Sequence, residues 1–263
     1  MSLDPYLADF SAQSPTAVET ITRILRQAIL EGALMGGTLL RQGDLAKKLG
    51  VSRIPVREAL LKLEGEGLVE TQPRHGVVVT SLTAEDFKEI LQMRYALESL
   101  ALELAIPHFS KADLDDALQM VAQANASMSV DSDRQLREEF ESRWGELNWQ
   151  FHKRLYQVAR RPRLLSSIEN LQQLFARQLR VHIKDHAQQH PQGDASPAFS
   201  PLRANRDEWE RVIEEHRQIA LACADHDPQR AKEILGRHIF VHGEQVVQRL
   251  RQVERAKSAA AGN

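Results

Sequence analysis

Two residues four apart, Asn148 and His152 in "ELNWQFHKRLY", have the side chains and spacing of a metal site. On a helix, positions i and i+4 share a face with their Cβ atoms about 6 Å apart, close enough to serve one ion. Taken alone, such a histidine reads first as a surface or satisfied core residue. A second group is chemically different. Ser52, Arg53 and Arg57 in "VSRIPVREALLKLEGEGLVE" fall on successive turns of one helix face. An arginine there can bond guanine O6 and N7 together, and a hydroxyl can bond a base edge or a phosphate. The alternative is an ordinary solvated face. Arg74 and His75 in "QPRHG" occupy a turn, where they would meet a DNA groove or backbone, or water.

The elements that must carry these residues follow from periodicity and turn chemistry. Apolar residues at Val18, Ile21, Leu25 and Ala28 predict a helix from Thr16 to about Gly32. "GDLAKKLG" predicts a short second helix closed by Gly50. Ser52 is the predicted N-cap of the third, with Pro55 in its first turn, where a missing N–H costs little. "GLVET" and "GVVVT", joined by "QPRHG", predict a β-hairpin. Helix, helix–turn–helix and hairpin make a winged helix-turn-helix over residues 16–80, preceded by a flexible arm at 1–15. In such a unit the start of the recognition helix enters the major groove, where Ser52, Arg53 and Arg57 stand.

From Thr83 onward only helices are predicted. Thr83 is an N-cap ahead of an acidic turn, and Asp227-Pro228 caps the last helix. "QQHPQGDASPAFSPLRAN" is a loop by composition. An antiparallel all-helical bundle over 84–252 and a disordered tail at 253–263 complete a mainly α chain. Other chemistry-bearing residues have plainer readings. Arg94 and Glu98 have the spacing of a salt bridge, His182 and His186 are solvated, and Trp144, Trp149 and Trp209 pack. His242, one turn beyond His238, competes with it for an inward position.

The totals narrow the class. The formal charge of -2 excludes a wholly basic nucleic-acid coat, though not a basic face on one domain. No apolar run approaches the ~20 residues of a membrane span. The single Cys223 excludes an internal disulfide and suits a reducing compartment. Acids near the N-terminus are unlike a secretory signal, so the expected location is the cytoplasm.

"DLAKKLGVSRIPVREALLKLEGEGLVETQPRHGVVV" resembles the DNA-binding domain of the GntR family of bacterial transcription regulators. The helical remainder resembles the FCD ligand-binding domain of that family's FadR-like branch. Two departures bear on base reading. Ile54 stands where the family usually has Thr, and Gly43 stands where many members have an arginine, whose place Arg41 can take from two residues away. In the helical domain the resemblance implies an Asp or Asn, a His four residues on, and two later histidines around a divalent metal. The matching positions are Asn148, His152, His216 and His238. Arg94 matches an arginine near that pocket and is a candidate second contact for the effector's carboxylate. The metal implied is Zn, Ni or Mn.

The resemblance thus implies a homodimer on a near-palindromic double-stranded DNA operator, controlled by a small carboxylate metabolite and not associated with a membrane. Two other readings stand beside it. A three-histidine ion with an open position could hydrolyse a substrate. However, the chain has no H-E-x-x-H pattern, and Glu215 lies about 100° around the helix from His216. A purely structural metal in an unregulated DNA-binding protein is the third reading.

Overall fold

The computed structural model describes Leu3 and residues 17–73, 76–81, 83–128, 134–189 and 206–261. The chain forms two compact units, residues 1–82 with 173–188, and 83–172 with 189–263.

In the first unit, α1 (Ala17–Leu30) is followed by β1 (Leu39–Leu40), α2 (Gln42–Leu49) and α3 (Arg53–Gly65). Strands β2 (Val69–Gln72) and β3 (Gly76–Val79) then form the hairpin. The sheet order is β1-β3-β2, all antiparallel, with Leu39 opposite Val78 and Val69 opposite Val79. Gly50 adopts φ 67° at the end of α2, a left-handed conformation that favours glycine. That sharp stop sets α2 against α3. Ile21, Leu25, Leu45, Leu49, Val56 and Leu63 close a shared core. Arg26 clasps Glu66 through two hydrogen bonds, of 2.7 and 2.5 Å, and so ties α1 to the end of α3.

The second unit contains α4 (Ala84–Ala105), a 3-10 turn (Ile106–His108), α5 (Lys111–Met128), α6 (Arg134–Gln157), the start of α7 (Pro162–Gln189), α8 (Arg206–Ala224) and α9 (Pro228–Ala261). Thr83 and Asp86 form a reciprocal capping box that starts α4. The Asp227 carboxylate accepts the Arg230 N–H at 2.9 Å and starts α9. Helix α9 packs along α4 and α8, while α5 and α4 both pack on α6. A Cβ at Gly243 would collide with Leu91, so this glycine permits the close approach of α9 to α4.

Four expectations are corrected. Leu3, placed in a flexible arm, is fully buried in the first core because an apolar side chain gains by leaving water. Ser52 stands at the N-cap of α3, but its hydroxyl makes no capping bond. The tail expected to be disordered at 253–263 is helical through Ala261, consistent with the helix propensity of "ERAKSAAA". Residues 173–188, expected within the bundle, belong to the first unit. There Leu174 packs on the core, and Arg177 donates to the Thr80 hydroxyl at 2.9 Å and to its carbonyl.

Candidate metal centre and nucleic-acid interface

Asn148 and His152 project from α6, His216 from α8 and His238 from α9. The three imidazoles are buried, and one ring nitrogen of each lies within 4.8 Å of the others. Hydrogen bonding identifies which nitrogens face inward. The Val212 carbonyl can only accept, so at 2.6 Å it takes a proton from His216 Nδ1. The Glu215 carboxylate likewise takes the proton of His238 Nδ1 at 3.0 Å. Tyr156 donates its hydroxyl proton to Glu98 at 2.5 Å, so at 3.2 Å its oxygen accepts from His152 Nδ1–H. Each Nδ1 is thus engaged by the protein, and the lone pairs remaining are the three Nε2 atoms.

Two details fit these residues to a cation. His152 Nε2 is buried with no hydrogen-bond partner, a costly state for a polar atom. His216 Nε2 faces Asn148 Oδ1 at 2.7 Å, two acceptors in contact once His216 carries its proton on Nδ1. A cation between them removes the repulsion; so would a rotated amide or a second proton on His216. The donor set, three imidazoles and a carboxamide oxygen, suits a borderline divalent metal such as Zn or Ni.

The supporting shell holds what the sequence did not reveal. Glu215 does rotate away from His216, and that rotation delivers its buried carboxylate to His238. Arg94 donates through Nε to Glu98 at 2.8 Å, both side chains almost fully buried, which is the salt bridge its spacing predicts. Arg94, Glu98, Tyr156 and His152 therefore form one hydrogen-bonded chain that ends on a candidate ligand. Tyr156 was missed, although its i, i+4 spacing from His152 could have pointed to it; its link to Glu98, 58 residues away, carries no local signal. The side chains of His182, His186, Trp209 and His242 lie outside the described residues.

Burial, then the nearby His216, His238 and Arg94, hold the His152 imidazole well below the usual range. It is neutral near pH 7, the form that binds a metal. The unfolded chain takes up this proton near pH 6.5, whereas the folded chain resists it. Stability is therefore full above about pH 6.5 and is lost as pH falls below it. The midpoint of denaturation of metal-free protein is expected to drop through that window, and less steeply in His152→Gln. Parallel profiles for the two proteins would remove the assignment.

On the first unit, Arg41, Ser52, Arg53 and Arg57 are all exposed. Ser52, Arg53 and Arg57 open α3, while Arg41 is the N-cap of α2. The Arg53 guanidinium lies 3.4 Å from where a Cβ of Gly43 would stand, so the departure at Gly43 leaves space that Arg53 fills. Ile54, the other departure, is 70% exposed beside it. Arg74 and His75 lie outside the described residues.

A helix-turn-helix with an antiparallel hairpin, carrying exposed arginines at the start of its third helix, defines a DNA-binding transcription regulator. The family comparisons agree. Residues 17–79 match the bacterial regulatory proteins of the gntR family, and residues 89–240 match the FCD domain. The chain belongs to the GntR family, in the branch that carries an FCD domain. It is 29% identical over 234 residues to the uncharacterized HTH-type transcriptional regulator YdhC of Bacillus subtilis, covering 86% of this chain and 96% of that protein. It is 31% identical over 125 residues to the gluconate operon transcriptional repressor of the same organism, covering 48% of this chain and 49% of that one. Escherichia coli McbR/YncC shares the fold, with a TM-score of 0.60 at 21% identity over 92% of this chain and all of that one. These relatives are regulators and not enzymes, which sets the hydrolytic reading aside. Among the described residues no helix is long and apolar enough to cross a membrane.

Proposed function

We propose that this GntR regulator is a cytoplasmic homodimer whose affinity for a near-palindromic operator is set by a small carboxylate metabolite. That metabolite is held beside a divalent metal (Zn, Ni or Mn) in the helical domain. Asn148, His152, His216 and His238 would hold the ion, which supplies a fixed positive charge for the anion. The observation carrying this reading is the convergence of three buried imidazoles, one of which lies 2.7 Å from the Asn148 amide oxygen. Arg94 takes a positioning role: through Glu98 and Tyr156 it orients His152. Removing one partner of that buried ion pair is expected to destabilise the fold by about 3–5 kcal/mol.

Charge explains why the effector is an anion. Four neutral ligands around a divalent ion leave an excess of about +2, costly in a low-dielectric interior. Glu215 accepts from His238 and also pairs with the exposed Arg237 at 3.7 Å, so it offsets only part of that charge, while Arg94 and Glu98 balance each other. An anion completes the compensation. Asn148→Asp is therefore expected to tighten the metal and weaken the anion. Calorimetry on metal-loaded protein checks this, and tighter anion binding in Asn148→Asp would count against the charge argument.

A dimer is required because one recognition helix reads only a few base pairs. Sedimentation is expected to give a dimer at micromolar concentration with and without DNA. A stable monomer in both conditions would exclude it.

A further inference from the structure

Among the described residues, Ile54 is the most exposed large apolar side chain, at 70%, and it is the second residue of α3. Single exposed apolar residues are common on protein surfaces, so exposure alone says little. Its place says more. Helix α3 buries Val56, Ala59, Leu60 and Leu63. At about 100° per residue, Ile54 projects from the side opposite that face, about 60° around the helix from Arg57. The exposed residues next to it are Arg53 and Arg57, the two arginines placed to read bases. A winged helix-turn-helix presents this end of its recognition helix to the major groove. Isoleucine in place of the family's usual threonine therefore takes a hydroxyl off the reading surface and leaves only hydrocarbon there.

We propose that Ile54 is a specificity-determining residue that reads the C5-methyl group of a thymine in each operator half-site, beside the base pair that Arg57 reaches. The inference goes beyond the metal-and-metabolite reading and rests on α3 being the base-reading helix. Isoleucine neither donates nor accepts a hydrogen bond, so against a phosphate or a polar base edge it would strip water without replacing it. The apolar group that a base pair presents in the major groove is the thymine methyl. A β-branched side chain on a helix holds one dominant χ1, so Ile54 offers that methyl a surface of fixed shape with little entropy to lose. Spacing agrees. Ile54 and Arg57 stand about 4.5 Å apart along the helix axis, close to the step of about 3.4 Å between base pairs, so they address neighbouring pairs. Leu61, the other exposed large apolar residue of α3, lies about 10 Å beyond Ile54, past the N-terminal turns that enter the groove.

The test uses the full-length protein and DNA that it selects from a random pool. Each thymine of the selected site is replaced in turn by deoxyuridine, which lacks only the C5-methyl group. One symmetry-related thymine position should respond. Burying a methyl group shifts an equilibrium about fourfold, so uracil in both half-sites should weaken binding by about fifteenfold. That penalty should vanish in Ile54→Ala and persist in Leu61→Ala. Because Ile54 lies in solvent, Ile54→Ala should melt with the native chain, so a lost penalty reports on the DNA contact and not on folding. Equal binding of thymine and uracil at every position, while Arg53→Ala and Arg57→Ala still lose specificity, would overturn the role of Ile54 and leave the reading helix in place. A uracil penalty that persists in Ile54→Ala would assign the methyl to another residue and overturn it as well. If Arg53→Ala and Arg57→Ala weaken selected and random DNA alike, α3 does not read bases and the inference falls with that assignment.

Discussion

Alanine at His216 is expected to empty the ion site. The substitution removes one of three convergent imidazoles and also the partner of Asn148, so two of the four donors are lost or unanchored. Loss of a mere supporting partner in a metal shell typically costs 10–100-fold in affinity, and loss of a ligand costs at least about that much. Elemental analysis after dialysis should find stoichiometric metal in the native chain and little in His216→Ala. Carboxylate binding should disappear with it. Glu215→Gln provides the graded comparison, because it keeps every ligand and removes only the charge on His238. It should weaken the metal less than His216→Ala does. Unchanged metal content in His216→Ala removes the site.

The second large effect is on DNA. Arg53 opens α3 with its guanidinium over Gly43, and Arg57 follows one turn later. If each pairs with a base, alanine at either position costs about 1–3 kcal/mol on the operator and relaxes specificity at one base pair. Lys47 and Lys48, exposed in the last turn of α2, are placed for phosphates. Alanine there should weaken every sequence alike and lower the salt slope by about 1 per lysine. Competition between operator and random DNA separates the two behaviours. Equal losses on both for Arg53→Ala would end the base-reading assignment.

The DNA-binding unit was legible because its signals are local. Gly50 stops α2, Pro55 fits the first turn of α3, and Val and Gly spacing gives the hairpin. In the helical unit, Asn148 with His152 and Arg94 with Glu98 were legible as helix neighbours. His216 and His238 were not, since separations of 64 and 22 residues carry no periodic signal; only the family resemblance supplied them. Glu215 shows the limit most clearly. Its angle from His216 was right, but its partner His238 is set by the packing of α8 on α9, which no spacing within one helix encodes. The same holds for Arg177 and Thr80, 97 residues apart, and for the placement of 173–188 with the first unit.

The proposal that an ion at Asn148, His152, His216 and His238 links a carboxylate to DNA affinity is tested most directly by one binding titration. Fluorescence anisotropy would follow the full-length protein on DNA selected from a random pool, with and without each of a panel of small carboxylates, in metal-loaded protein and after chelation. The expected result is a change in operator affinity of about fivefold or more on adding at least one of these carboxylates, seen only while the metal is present. The same response after chelation would contradict the proposed link, as would no response to any carboxylate in the metal-loaded protein.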